Sequence, residues 1–387
     1  MQLGLLQVGR TEGHLPARSV PPARPAVQPA AEPSADSVSI SGAPAPTGTT
    51  PAATPVSRGL IDKLREIGSS ISHGVAATLA GVQLVGYGLI YKAEGKLTES
   101  RETLFQPSKT LPTPSITRPF VLISGWTTTH KNFNTLTDHL THDGANGGQV
   151  YFVKQGQFYT QGDDGELVAA PPPTGGRVFE MLWSDTHQSP TRNLPEMQQN
   201  LEAICAATGF DKVDVEGFSM GGLDTRLYLD QGGTRINRHM MLGTPNRGTR
   251  FGELALDVID KKVGWAQKFA GISENDRESM LWLREEANSP LLQDLNSRFA
   301  QQTRQVPTLT VGANIMPTAG TNGLTWGDGL VPSSSLGLPG SNTLVLHEAM
   351  QHGRLNDDAA VQHVRALFFG WGLPTIPTAA PPTNGRE

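Results

Sequence analysis

Short continuous apolar runs alternate along this chain with apolar residues spaced three or four apart. Pro119–Ile123 reads Pro-Phe-Val-Leu-Ile and ends at Ser124-Gly125; an unbroken run of this length suits a central strand covered on both faces. Further strands are predicted at 149–153, 178–183, 213–216, 240–242, 309–311 and 344–346. Between them Phe133, Leu136 and Leu140, then Leu194, Met197, Leu201 and Ile204, then Leu223 and Leu227 recur at helical spacing, and a helix over 359–369 closes the series. This alternation predicts an open, mostly parallel sheet with helices on both faces and a ligand site beyond the carboxyl ends of the strands.

The pattern changes at two places. From 251 to 306 the strand runs stop and the spacing is helical throughout, with Trp265, Phe269 and Trp282 adding more aromatic surface than a plain connection needs. A helical lid or cap over an apolar pocket is expected there, with a helical layer that only completes the core as the alternative. Upstream, Leu60, Ile61, Leu64, Ile67 and Ile71 mark a surface helix, and 74–91 contains no charged residue. That stretch is short and glycine-rich for a membrane span, which takes about 20 mostly apolar residues. It is expected to pack on the main domain or at a dimer contact, with an interfacial or membrane-inserted segment and a flexible hydrophobic leader as the alternatives. Residues 1–57 and 374–387 are rich in Pro, Ala and small polar residues and are read as a disordered leader and a flexible tail. The expected division is therefore leader 1–57, helical segment 58–105, main domain 106–373 with its insertion at 251–306, and tail 374–387.

Composition narrows the partners. The 387 residues carry a net charge of −5, which offers no basic field to a phosphate backbone, so nucleic acid is not an expected partner. A lone Cys205 cannot form an intrachain disulfide, and its inward helical position predicts a buried small hydrophobe rather than a reactive thiol. Met1–Pro16 lacks the cationic start and apolar run of a signal peptide, which leaves the location and the oligomeric state open.

The chemistry is concentrated after the fourth predicted strand. Residues 217–221 read Gly-Phe-Ser-Met-Gly and are followed by Gly222 and a helical segment. A serine on such a tight strand-to-helix turn projects its hydroxyl upward, with small residues letting the backbone pass close by. Ser219 is the expected nucleophile. A serine hydroxyl needs a base and an acid to orient that base, and in this arrangement they follow in the order acid, then histidine. His352, in the turn between the last strand and the last helix, is the first choice, with His347 second; His239 and His363 read as structural. Asp328 in Gly327-Asp328-Gly329 is the first choice for the acid, with Glu253 and Asp257 behind it. Asp224, on the helix after the nucleophile, is expected to face solvent or a neighbouring loop. An oxyanion needs backbone donors: the Met220 amide, and one from Gly125-Trp126-Thr127, with Trp126 preferred to Thr127.

Taken together, Phe-Val-Leu-Ile-Ser-Gly-Trp at 120–126, Gly-Phe-Ser-Met-Gly-Gly at 217–222, Leu-Gly-Thr-Pro-Asn-Arg-Gly-Thr at 242–249, Gly-Asp-Gly-Leu-Val-Pro at 327–332 and the His352 turn resemble the α/β-hydrolase superfamily, and within it bacterial triacylglycerol lipases and related serine esterases. The resemblance covers about residues 117–370. It implies the α/β-hydrolase fold, a Ser219–Asp328–His352 triad, an oxyanion hole of the Trp126 and Met220 amides, and a lipid or other hydrophobic ester as substrate. Such lipases often have histidine where Ser124 stands. No cofactor and no metal is expected: Asp357 and Asp358 alone do not make a calcium site. A phospholipase, an amidase or thioesterase with the same triad, and a noncatalytic binding protein on the same scaffold are the competing readings.

Overall fold

The computed structural model describes residues 78–86, 88–89, 112–314, 316–346 and 351–372, all within one compact unit, Gly59–Glu387. The expected helix at 58–71, the ends of the chain and His347 lie outside the described residues. The main sheet is built from β1 (Phe120–Ile123), β2 (Val150–Lys154), β3 (Gln157–Gln161), β4 (Leu167–Ala170), β5 (Val178–Met181), β6 (Val213–Phe218), β7 (Ile236–Leu242), β8 (Thr308–Ala313) and, after a separate hairpin of β9 (Met316–Gly320) and β10 (Gly323–Gly327), β11 (Thr343–Leu346). Its order is β11-β8-β7-β6-β1-β5-β2-β3-β4. The strands from β11 to β2 run parallel, and β3 and β4 add an antiparallel hairpin at one edge.

All four residues of β1 are buried, as are the four of β5 and the six of β6; β1 accordingly reads as an unbroken apolar run, whereas β5 buries Glu180 and β6 buries Asp214 and Glu216 among their apolar residues. Two clusters use the two faces of the sheet. One gathers Phe120, Leu122, Phe133, Leu136 and Phe369 beneath the helices Asn134–Thr141 and Ala359–Phe369; the other gathers Val121, Ile123, Met197, Leu201 and Val215 beneath Pro190–Thr208. A third cluster joins the helix Met220–Asp230 to the insertion through Leu223, Leu254, Val258 and Met280, and includes Ala80 and Leu84 from the upstream helical residues.

The insertion is helical as expected, with Arg250–Asp260, Gly264–Ala270, Arg277–Leu283, Pro290–Ser297 and Phe299–Gln305 between β7 and β8. Cys205 is buried, and burial pushes its thiol up to about 11, so it is a packed hydrophobe and not a thiolate at neutral pH. Chain order reverses at β1: the chain leaves it for β2 and β5 on one side and returns to β6 on the other. The loops after β1 and β6 therefore part and leave a crevice at their carboxyl ends, where open sheets of this type hold their ligands.

Candidate active site

The register places the crevice residues. Ile123 of β1 pairs with Gly217 of β6, so two steps further along each strand Gly125 and Ser219 come side by side. A Cβ on Gly125 would fall 2.8 Å from the Ser219 Cβ, so only glycine lets the two loops approach this closely. Ser219 adopts φ 54 and ψ −124, a conformation that costs a non-glycine residue about 1–3 kcal/mol. The turn is held from both sides, with the Ser219 amide donating to Leu242 O at 2.8 Å and the Gly222 amide to Ser219 O at 3.2 Å. The surrounding glycines are steric requirements: a Cβ at 221 would meet Ile123 O at 2.3 Å, and one at 222 would meet Thr244 Oγ1 at 2.0 Å.

Three distant side chains meet at this turn. His352 Nε2 lies 3.0 Å from Ser219 Oγ, and His352 Nδ1 lies 2.7 Å from Asp328 Oδ2. The His352 amide also donates to Asp328 O at 2.9 Å, which ties the histidine turn to the acid loop by its backbone. The second carboxylate oxygen of Asp328 accepts the amides of Leu330 at 3.0 Å and Val331 at 2.7 Å, so the turn Gly327–Val331 exists in a form that aims this carboxylate. Both residues are buried, and the Phe218 ring packs against the imidazole with centroids 4.9 Å apart. A serine bonded to an imidazole that is itself bonded to a shielded carboxylate is an arrangement able to move the serine proton.

The loop after β1 supplies amides beside the hydroxyl. Thr127, which has φ 58, donates its amide to Thr186 O at 2.9 Å and is thereby occupied. The amides of Trp126 and Met220 make no hydrogen bond to any described residue. With Ser124 in place of histidine, the loop is braced from its other end, where Thr128 Oγ1 donates to Gly125 O at 2.5 Å. A pocket of about 250 Å³ opens at Ser219 and is walled by Trp126, Phe251 and Leu283 on one side and Leu330 and Val331 on another. Phe251 and Leu283 come from the insertion.

The other expected residues lie elsewhere. Glu253 accepts hydrogen bonds from Arg284 Nε and Nη2, and Asp257 pairs with Lys261. His239 is fully buried in the sheet with no partner for either ring nitrogen among the described residues, and burial lowers it to about 3. His363 is exposed on the closing helix. Asp358 caps that helix by accepting the amides of Ala360 and Val361. Asp224 is the correction: instead of facing solvent it is buried, accepts a hydrogen bond from Asn193 Nδ2 at 3.1 Å, and is pushed up to about 8 by burial. Its helix is covered on every side, because the helix Pro190–Thr208 and the insertion close over it. The sequence reading also missed Asp276, a buried carboxylate of the insertion that accepts the Trp126 indole N–H at 2.8 Å.

Fold and site together define the class: the chain has the α/β-hydrolase fold, with a serine, a histidine and an aspartate joined in one hydrogen-bonded series at its topological switch point. A family profile described as the alpha/beta hydrolase fold matches residues 180–353. Among solved structures, the product of the gene lin2722 from Listeria innocua is similar at 16% identity, over 65% of this chain and 93% of that one, with a TM-score of 0.44. The lipase BlEst2 from Bacillus licheniformis in its mature form is similar at 15% identity, over 68% and 95%, with a TM-score of 0.45. The esterase EaEST from Exiguobacterium antarcticum is similar at 13% identity, over 66% and 93%, with a TM-score of 0.36. No curated protein matches the chain in sequence.

Proposed function

We propose that this protein is a serine hydrolase that cleaves carboxylic esters of hydrophobic acids through an acyl-enzyme. His352 removes the Ser219 proton as the oxygen attacks the ester carbonyl, Asp328 fixes the imidazole tautomer and steadies the imidazolium, and the Trp126 and Met220 amides receive the oxyanion. The imidazolium then protonates the leaving alcohol, and water repeats the cycle on the acyl-serine. One observation carries the reading: the unbroken series Ser219 Oγ, His352 and Asp328, at 3.0 and 2.7 Å, opening on an apolar pocket.

The same pocket bears on the substrate. Each methylene moved from water into it contributes about 0.8 kcal/mol, which favours an apolar acyl group. Its volume of about 250 Å³ lies just below the ~300–1,000 Å³ of ordinary ligand sites, which favours short acyl chains in this arrangement. The insertion acts as a cap through Phe251 and Leu283, and residues 106–373 form the catalytic domain. A panel of esters of increasing chain length, run beside matched thioesters and amides, tests the assignment. Short-chain esters are expected to turn over fastest and Ser219→Ala to abolish hydrolysis. Activity surviving in Ser219→Ala, or faster cleavage of the amides, overturns it.

A second proposal concerns the segment 74–91, which we assign to a lipid surface. Its described residues form a helix whose Ala80 and Leu84 are buried in the cluster shared with the insertion, while Leu79, Val82 and Leu89 are each more than half exposed. Trp265 and Phe269 of the insertion are exposed as well. Among the described residues no helix is long and apolar enough to cross a membrane, so contact rather than spanning is the form proposed.

A further inference from the structure

Trp126 contributes more than a backbone amide. Its indole Nε1 donates to Asp276 Oδ1 at 2.8 Å, its ring stands edge-on to His187 with centroids 6.3 Å apart, and it leans on Phe251 at 5.9 Å. Asp276 lies 150 positions further along the chain, in the insertion, and is fully buried. Its carboxylate is engaged four times. One oxygen takes the Trp126 indole and His187 Nδ1, the latter at 2.5 Å, and the other takes the Ser273 amide at 2.7 Å and the Ser273 hydroxyl at 3.0 Å.

Three segments converge on this one group. The loop after β1 reaches it through Trp126, the loop after β5 through His187, and the insertion supplies the carboxylate itself. Cross-ties reinforce the junction, since Thr127 donates its amide to Thr186 O at 2.9 Å and Ser279 Oγ donates to His187 O at 2.6 Å. A buried carboxylate persists only with its lone pairs filled, so the position of each donor is set by the others.

An oxyanion donor accelerates acyl transfer only when it is aimed at the place where charge develops. The Trp126 amide sits in a loop with a left-handed residue, Thr127, beside it, and such a conformation persists only where its surroundings over-determine it. The indole is rigid and joined to the Trp126 Cα by two torsions, so fixing its N–H restricts the backbone that carries the amide. We infer that Asp276 is a positioning residue for ester hydrolysis, holding the Trp126 indole so that the Trp126 amide points at the carbonyl oxygen. The inference rests on the ester-hydrolase reading above and adds a role for the insertion: it orients the oxyanion loop as well as walling the pocket.

The test uses the full chain and four variants: Asp276→Ala, Asp276→Asn, Trp126→Phe, and Trp126→Phe with Asp276→Asn. A water-soluble short-chain ester gives kcat and KM, a trifluoromethyl ketone of the same acyl length gives an inhibition constant, and thermal melting reports folding. Misaiming a donor removes part of a contribution worth up to about 10²–10³ in kcat, so Asp276→Ala is expected to lose roughly tenfold or more in kcat with KM little changed. Ketone inhibition is expected to weaken in parallel, and Asp276→Asn, which keeps one acceptor oxygen, to recover part of the loss. Because the two side chains act through one bond, the double variant is expected to be no slower than the slower single variant. Wild-type kcat in both folded Asp276 variants, a loss confined to KM, or additive losses in the double variant would overturn the inference. If Asp276→Ala does not fold, Asp276→Asn and Trp126→Phe decide the matter by the same measures. A wild-type protein that neither hydrolyses esters nor is labelled at Ser219 by a fluorophosphonate removes the ester-hydrolase reading and this role with it. An active wild type with fully active Asp276 variants removes this role alone.

Discussion

Ser219 carries a strained backbone because the turn that exposes its hydroxyl leaves no relaxed alternative, and the glycines at 217, 221 and 222 are the sequence trace of that crowding. The proposed nucleophile was legible for this reason, and its proposed partners Asp328 and His352 were legible because loops at strand ends in a fixed order leave few choices. Asp276 and Asp224 were not. Neither has a motif around it, and the burial of each comes from segments far away in the chain. Asp224 has a measurable consequence. Burial raises its carboxyl to about 8, whereas in the unfolded chain it ionises near 3.8. Between those values the folded protein keeps a proton that the unfolded chain releases, so this group's contribution to stability falls as pH rises through that window. Asp224→Asn removes the titration, and its amide keeps an acceptor for Asn193 Nδ2. The unfolding free energy of Asp224→Asn relative to wild type, measured by chemical denaturation, is expected to climb from pH 5 to pH 8, with a slope that approaches ~1.4 kcal/mol per pH unit. A difference that stays flat across that range would show that Asp224 is ionised in the fold.

At the scale of elements, what the pattern revealed was what the core buries. Strand β1 was readable because all four of its residues are apolar and buried, β5 and β6 because buried apolar residues flank their carboxylates, and the insertion because buried apolar residues recur in the helices Arg250–Asp260, Arg277–Leu283 and Pro290–Ser297. The hairpins β3–β4 and β9–β10 went unread: β4 is a four-residue apolar run, Leu-Val-Ala-Ala, that the core does not bury, and β10 is exposed until Gly327, so burial leaves neither a clear alternation. The closing helix Ala359–Phe369 was readable from its spacing, but its anchor was not. Arg365, fully buried, donates Nε and Nη2 to the two oxygens of Glu216 in β6, at 2.6 and 2.7 Å. This pair ties the closing helix, which follows the His352 turn, to β6 at a point three residues before Ser219. Removing one partner strands the other charge in the core, and Arg365→Met alone is expected to cost about 3–5 kcal/mol in chemical denaturation. Replacing both, as Glu216→Leu with Arg365→Met, leaves no orphaned charge and is expected to regain most of that loss. If the double variant is as unstable as the two single variants added together, the two side chains contribute independently and the orphaned-charge account fails.

For the whole molecule, the sheet's switch point puts the Ser219 hydroxyl, the His352 imidazole and the loop after β1 at one rim, where the insertion contributes Phe251 and Leu283 to the pocket, and the insertion also packs against Ala80 and Leu84 of the upstream helical residues. A net charge of −5 gives this protein no long-range attraction to anionic lipid, so the proposed surface contact has to come from apolar side chains. Leu79, Val82 and Leu89 are the groups available on that helix, and fully burying an aliphatic side chain of this kind is worth about 1.5–3 kcal/mol. Two consequences follow from an apolar origin. Flotation with phosphatidylcholine vesicles is expected to be at least as strong as with vesicles containing phosphatidylserine, and to change little between low and physiological salt. Leu79→Ser, Val82→Ser and Leu89→Ser combined are expected to release the protein from vesicles while leaving hydrolysis of a water-soluble ester intact, because none of the three lines the Ser219 pocket. Flotation that survives the triple substitution places the contact elsewhere, and a wild type that does not float at all removes it.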